Sequence, residues 1–339
     1  MNAIRHDRFD GLDVLRGLAA ATVVLSHYSS YCASHFGDAP FQLPLLAGYY
    51  AVLLFFMISG FVIYFTVERC ESWRDFAVSR MTRLYPAYWA GLTLVVVVEV
   101  LVFGETMWWR GYAANMTMFQ EYIGFANHDN VYWSLTVELA FYLCIAILFR
   151  LGLLRRINAV AAAWLAVSWC WWAIEKSLEI PLPALINRCL IPQAAPFFIL
   201  GIMLYLIRVR GTSVARVAII AIAFTTIWRI HGALHLAISL GLFVCAVFAL
   251  SDYARFMVMP ATLWLGAISY PLYLIHRNLG YLSLGAMHRE GWPTWLALLC
   301  TAIGALVFAT LLTYFVERPL CRVLRVAYVK WKGAAATQH

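Results

Sequence analysis

The chain has 339 residues, of which 63% are hydrophobic and only 12% charged, with a mean hydropathy of +0.77. Soluble domains run at roughly 45–50% apolar and about 25% charged, so a soluble enzyme, a secreted disulfide scaffold, a disordered chain and a nucleic-acid-binding module all fit poorly. What remains is an all-α polytopic membrane helix bundle, and the net charge of +8 then reads as a topology signal.

Apolar runs of spanning length fall at about 12–32, 48–66, 85–103, 131–149, 158–175, 189–207, 214–228, 233–250, 262–281 and 294–316. They predict about ten transmembrane helices, each needing about 20 mostly apolar residues. The first run follows Arg5 and Arg8, as a signal peptide would. It carries Arg16 and His27 and lacks a convincing small-residue cleavage site, so it reads as a retained helix. The seventh run is short enough to be a half-helix or one arm of a re-entrant pair.

If the helices alternate in direction, 19 of the 25 Lys and Arg residues share the side of the N-terminus. That bias predicts N-in, C-in topology. Residues 1–11 then form a cytoplasmic N-terminal segment, 12–322 the membrane domain and 323–339 a cytoplasmic tail. The eight cysteines are scattered with no CxxC pair, so neither a metal site nor a disulfide framework is expected. The outer gap 104–130 holds Trp108, Trp109, Tyr112, Phe119, Tyr122 and Phe125. It reads either as an interfacial aromatic belt or as a floor on which a sugar ring stacks.

Ionisable residues at depth are the functional candidates, because a charge there costs several kcal/mol unless paired or hydrated. His27 lies eleven residues after Arg16, a rise of about 16 Å and three turns plus about 20°, so both share one helix face. Counted from the ends of their runs, His27, Glu138 and His276 fall about 9–13 Å below the outer surface. Such a layer suits the proton relay of a coupled transporter or an enzyme with a histidine base or nucleophile oriented by a carboxylate. On the inner side, Arg80 and Arg83 stand at i and i+3, adjacent on a helix. They are either ordinary positive-inside residues or a phosphate fork.

Several blocks in succession resemble the acyltransferase-3 family of bacterial membrane proteins. Phe9-Asp10-Gly11-Leu12-Asp13-Val14-Leu15-Arg16-Gly17, with His27, resembles its first helix, whose hallmark is a basic residue, ten positions and then His. Phe55-Phe56-Met57-Ile58-Ser59-Gly60-Phe61 resembles its second-helix signature, and Arg80-Met81-Thr82-Arg83-Leu84-Tyr85-Pro86 its inner Arg-x-x-Arg segment. Trp133-Ser134-Leu135-Thr136-Val137-Glu138, Ser269-Tyr270-Pro271-Leu272-Tyr273-Leu274-Ile275-His276 and Val316-Glu317-Arg318-Pro319 resemble three further blocks. The likeness runs over about residues 8–322. Two departures stand out: Ala51-Val52-Leu53-Leu54 precedes the Phe pair where relatives often have an acid, and Leu139 follows Glu138 where many have a second Glu. With residues given to His339, no soluble SGNH-type domain of the kind some relatives append is expected.

The resemblance implies transfer of an acyl group, most often acetyl, from cytoplasmic acetyl-CoA as donor substrate to a hydroxyl of an extracytoplasmic or lipid-linked glycan, in a bacterial inner membrane. Arg16, Arg80, Arg83 and Tyr85 would bind the acyl-CoA. His27 would act as general base or transient acyl carrier, with Glu138 orienting its ring, and His276, Trp133 and Ser134 would support the site or hold the acceptor. Outside the family likeness, the transporter of a small anion or sugar stays open. Its weakness is that no convincing internal repeat appears and few Gly or Pro breaks fall in paired positions.

Overall fold

In the computed structural model, residues 9–178 and 183–336 are described, and every regular element among them is helical. Residues 1–8, which include Arg5 and Arg8 of the inner charge count, lie outside the described residues, as do 179–182 and 337–339. In chain order the helices are α1 (Asp10–Phe36), α2 (Leu45–Val67), α3 (Trp73–Leu101), the short α4 (Trp109–Met116) and α5 (Trp133–Arg150). There follow α6 (Ile157–Leu178), the short α7 (Ala184–Leu190), α8 (Ala195–Arg210), α9 (Val214–His231) and α10 (Ala233–Ala249). The last three are α11 (Pro260–Arg289), α12 (Thr294–Leu311) and α13 (Arg318–Ala336). Each of the ten apolar runs is taken up by one long helix. Among the described residues, seven helical stretches are long and apolar enough to cross a membrane on length and composition alone. The other three long helices are α1 and α11, which hold the two depth histidines, and the 17-residue α10. The chain is a polytopic membrane helix bundle.

Breaks between helices follow local chemistry rather than hydropathy. The sixth run is interrupted at Ile191, which adopts a left-handed φ of 44°, just before Pro192, a residue with no N–H to continue the ladder. The seventh run is a full 18-residue helix rather than a half-helix. It continues past its apolar stretch through Arg229 and His231 and stops at Gly232, where φ is 94°, a value glycine adopts without strain.

At the centre, α1 and α11 run parallel in backbone contact. A Cβ on Gly17 would lie 2.6 Å from the backbone nitrogen of Gly266, and small residues are what allow helices in lipid to approach so closely. Higher up, the Tyr28 hydroxyl donates to the His276 carbonyl at 2.9 Å, and the Phe36 ring stacks on His288 at 3.8 Å. This pairing keeps equal heights on the two helices side by side. α2 and α8 form the second close pair and are the most enclosed spans, whereas α6 and α9 turn most of their surface outward.

Two segments depart from simple spanning. Between α3 and α5 the chain dips into the bundle: Tyr85, Tyr88 and Trp89 of α3 donate to the carbonyls of Thr117, Asn115 and Met116 at 2.7, 2.9 and 2.8 Å. Tyr85 lies sixteen residues, about 24 Å, before the outer end of α3. The loop then returns through buried Asp129, which accepts from the backbone N–H of Val131 at 3.1 Å and of Asn278 at 3.0 Å. α5 therefore starts well below the outer ends of its neighbours, while Trp108 and Trp109 stay exposed, as a belt would. At the other end, α12 passes through a π-helical turn, Leu312–Glu317, into α13. Residues of the expected tail thus continue a helix packed on α3: Tyr328 of the tail donates to Asp75 at 2.9 Å, and Cys321, just before the tail, to the Thr82 carbonyl at 2.8 Å.

Candidate functional site: a histidine pair above an arginine-lined cavity

The parallel packing of α1 and α11 brings His27 and His276 together. His276 Nε2 lies 3.4 Å from His27 Nδ1, and the rings meet edge-on with centroids 5.1 Å apart. His27 Nδ1 is 2.9 Å from the Val23 carbonyl and His276 Nδ1 is 2.8 Å from the Tyr273 carbonyl. A carbonyl only accepts, so in each ring Nδ1 carries the proton and Nε2 the lone pair. The His27 Nδ1–H thus faces two acceptors, Val23 O and His276 Nε2, and its own Nε2 is left as the basic, nucleophilic atom. His276 is fully buried, with His27 partly so.

Below this pair lies a cavity. Its inner end is lined by Arg16, Arg80 and Arg83, its middle by Ser59, Glu138 and Tyr142, and its outer end by Ser134 and Tyr273. Apolar side chains such as Val52, Phe55, Phe56 and Val62 make up the rest of the wall. The two histidines are not part of the lining. Tyr273 stands between, one side on the cavity and its ring 5.7 Å from that of His276. Its hydroxyl donates to the Val131 carbonyl at 2.8 Å and lies 2.6 Å from Ser134 Oγ.

The three guanidinium groups are held differently. Arg83 forms an ion pair with Glu317, delivered by the π-helical turn, and faces the Tyr270 ring at 5.7 Å. Arg16 is 3.7 Å from Asp13, one turn earlier on the same helix. Arg80 donates to Ser79 Oγ at 3.0 Å, and its Nε has no hydrogen-bond partner among the described residues. Three cations converge on one apolar chamber with two carboxylates, Glu138 and Glu317, beside them.

Most of the residues expected from the sequence meet here, but two differ from expectation, Glu138 in its partners and Tyr85 in its place. Glu138 does not reach His27. Its Oε1 accepts from Ser59 Oγ at 2.5 Å and from the Tyr142 hydroxyl at 2.6 Å. The expected common depth assumed that α5 ends at the surface. Instead Tyr132 donates to the Leu274 carbonyl at 3.1 Å, so the helix begins beside the histidine layer. Glu138 lies a further turn and more inward, about 11 Å below His276. Tyr85, unlike Glu138, is not in the cavity. Two residues beyond Arg83 is a rotation of about 200° on a helix, which turns Tyr85 to the dipping loop. Ser134 lines the outer end of the cavity, and Trp133 packs edge-on against Phe56, 6.0 Å between centroids.

Sequence reasoning gave no role to Ser59, Tyr142, Tyr270, Tyr273 and Glu317, although all five lie within or just beside the blocks that carry the family likeness. The outer cluster had no signal at all. Arg277 extends to Asp129 at 3.4 Å and over the Tyr281 ring at 4.9 Å, beside the histidines. Burial pushes the Asp129 carboxyl above its usual range, opposed by the Val131 amide and by Arg277.

Comparison with known proteins identifies the family. The family described as Acyltransferase domain (Acyl_transf_3) matches residues 9–314. Acyltransferase MdmB of Streptomyces mycarofaciens is 27% identical over 226 residues, covering 59% of this chain and 57% of its own length. Nodulation protein 10 of Rhizobium leguminosarum bv. viciae is 27% identical over 182 residues, covering 47% of this chain and 48% of its own length. The chain thus spans about half the length of the curated relatives it matches, and no solved structure matches. With the family covering nearly every described residue, the chain belongs to the acyltransferase-3 family.

Proposed function

We propose that the protein moves an acyl group, acetyl in the first instance, from cytoplasmic acyl-CoA to a hydroxyl of an extracytoplasmic or lipid-linked glycan in the bacterial inner membrane. The observation that supports this reading is the order of groups along one axis. Three guanidinium groups sit at the inner end of an apolar cavity, and a histidine pair lies just beyond its outer end. Planar Arg forks suit phosphate, so the nucleotide stays inside while the acyl-pantetheine arm extends outward. Arg16 and His27 are about 16 Å apart along α1, a distance matched to such an arm, and the thioester passes Tyr273 to reach the imidazole.

In the proposed step the acceptor O–H gives its proton to His27 Nε2 as the oxygen attacks the thioester carbonyl. The C–S bond breaks, and the thiolate takes the proton from the imidazolium. His276 accepts from His27 Nδ1–H and holds the ring, the part an aspartate plays in a catalytic triad. Purified protein in detergent is expected to release free thiol from acetyl-CoA when an acceptor is present. His27→Ala is expected to lower that rate by about 10²–10⁴-fold while the variant still inserts and melts like the parent. Full activity in His27→Ala would refute the assignment, and a wild-type protein that releases no thiol would refute the donor.

A further inference from the structure

Glu138 is the one carboxylate whose surroundings do not fit the orienting role expected of it. It faces the cavity, one oxygen held by Ser59 and Tyr142, and makes no contact with either imidazole. His276 already fills the position behind His27. A carboxylate placed among Phe55, Phe56 and Val62, with one oxygen committed, presents the other to whatever enters the chamber. When ionised it can only accept hydrogen bonds. The two hydroxyl donors fix it in place but leave the chamber side of the group without a donor of its own. The anionic end of an acyl-CoA belongs at the arginines, and its carbonyl carbon at the histidines. The part that lies level with Glu138 is the pantetheine arm, whose donors between its diphosphate-proximal hydroxyl and the sulfur are two secondary amide N–H groups.

We propose that Glu138 is a donor-binding residue that accepts a hydrogen bond from an amide N–H of the pantetheine arm, and that it sets specificity for amide-containing thioesters. This rests on the acyl-CoA reading above. The like-charge cost of a carboxylate near a nucleotide is met by Arg80, whose guanidinium shares the chamber with Glu138 and lacks a carboxylate partner of its own among the described residues. Ser59 and Tyr142 act on the donor through Glu138, as positioning residues.

The test compares wild type, Glu138→Ala, Glu138→Gln and His27→Ala in detergent, with folding checked by thermal melting. CoA affinity is measured by calorimetry, without turnover. Glu138→Ala is expected to weaken CoA about tenfold, the loss of one charge-assisted hydrogen bond, and Glu138→Gln less, since it keeps an acceptor. His27→Ala is expected to bind CoA as wild type does. In turnover, KM for acetyl-CoA rises while the pH profile of kcat stays in place. Two short donors provide an arm that does not depend on phosphate contacts. With the acetyl thioester of N-acetylcysteamine, which has one amide, Glu138→Ala should lose about tenfold in kcat/KM. With ethyl thioacetate, which has none, it should equal wild type. Wild-type CoA affinity in Glu138→Ala overturns the proposal, as does equal loss on both short donors. A shifted kcat pH profile at constant KM would return Glu138 to the imidazole. If wild type itself neither binds CoA nor cleaves acetyl-CoA, the underlying donor reading fails instead.

Discussion

In the proposed reaction His27 serves as the base because of what its other nitrogen does. With Nδ1–H committed to Val23 O and His276 Nε2, the tautomer is fixed and Nε2 is available for a proton or an acyl group. His276→Leu is therefore expected to lower kcat with KM for acetyl-CoA unchanged, read by thiol-release kinetics. The double variant with His27→Ala should be no slower than His27→Ala alone, since residues acting as a unit are not additive. The Arg83–Glu317 pair makes a different demand. Glu317 is nearly buried, at 7% side-chain exposure, and removing one partner leaves a poorly solvated charge, a loss of roughly 3–5 kcal/mol in buried pairs. A double-mutant cycle on Arg83→Ala and Glu317→Ala should show a coupling of about 1–3 kcal/mol in thermal stability. Only the Arg83 variant is expected to raise KM for acetyl-CoA directly through a lost phosphate contact. Equal KM in wild type and Arg83→Ala would remove that arginine from the donor site.

At the scale of single elements, function depends on how closely α1 and α11 approach. Gly17 faces Gly266 with no room for a side chain, so Gly17→Ala must push the helices apart or bend one of them. Overpacking of this kind costs about 1–3 kcal/mol, and here it also separates the two imidazoles. Gly17→Ala is expected to lower both the melting temperature and kcat. Gly241→Ala, where a Cβ would meet nothing within 4 Å, is expected to leave both unchanged. An equal response from the two glycines would show that the approach of α1 and α11 is not critical. The π-helical turn at 312–317 has a comparable role. One extra residue in the turn rotates the helix downstream of it, and here it lets Glu317 face Arg83 while α13 returns along the start of α3.

Across the whole molecule, the N-in arrangement expected from the basic residues assigns each face of the bundle to a compartment. His288 near the outer end of α11 and Lys330 on α13 should lie on opposite sides of the membrane. In a background without the native cysteines, a membrane-impermeant thiol reagent applied to intact cells should label His288→Cys and spare Lys330→Cys. The reverse would invert the topology, and with it the proposed direction of transfer. The dipping loop between α3 and α5 has a consequence at this scale too. It covers the start of α5 from outside, and with Asp129 and Arg277 it walls the histidine pair on its outer side.

The bundle itself and the shared height of His27 and His276 were legible in residue order, although the sequence pointed to Glu138 rather than His276 as the partner of His27. Apolar length sets a span, and the rise per residue places two histidines at one height on helices that run the same way. The blocks around Arg16, Arg80 and Arg83 likewise named three residues that converge. What residue order left open was every distance counted from a helix end. Glu138 and Tyr85 were misplaced because the start of α5 is sunk by a loop and because a two-residue step turns to the opposite face of α3. The pairing of Arg83 with Glu317, some 230 residues away, has no local signature. Hydrophobic length is a property of one segment against the bilayer and can be read alone, whereas the partner of a buried charge is decided by which helices pack together.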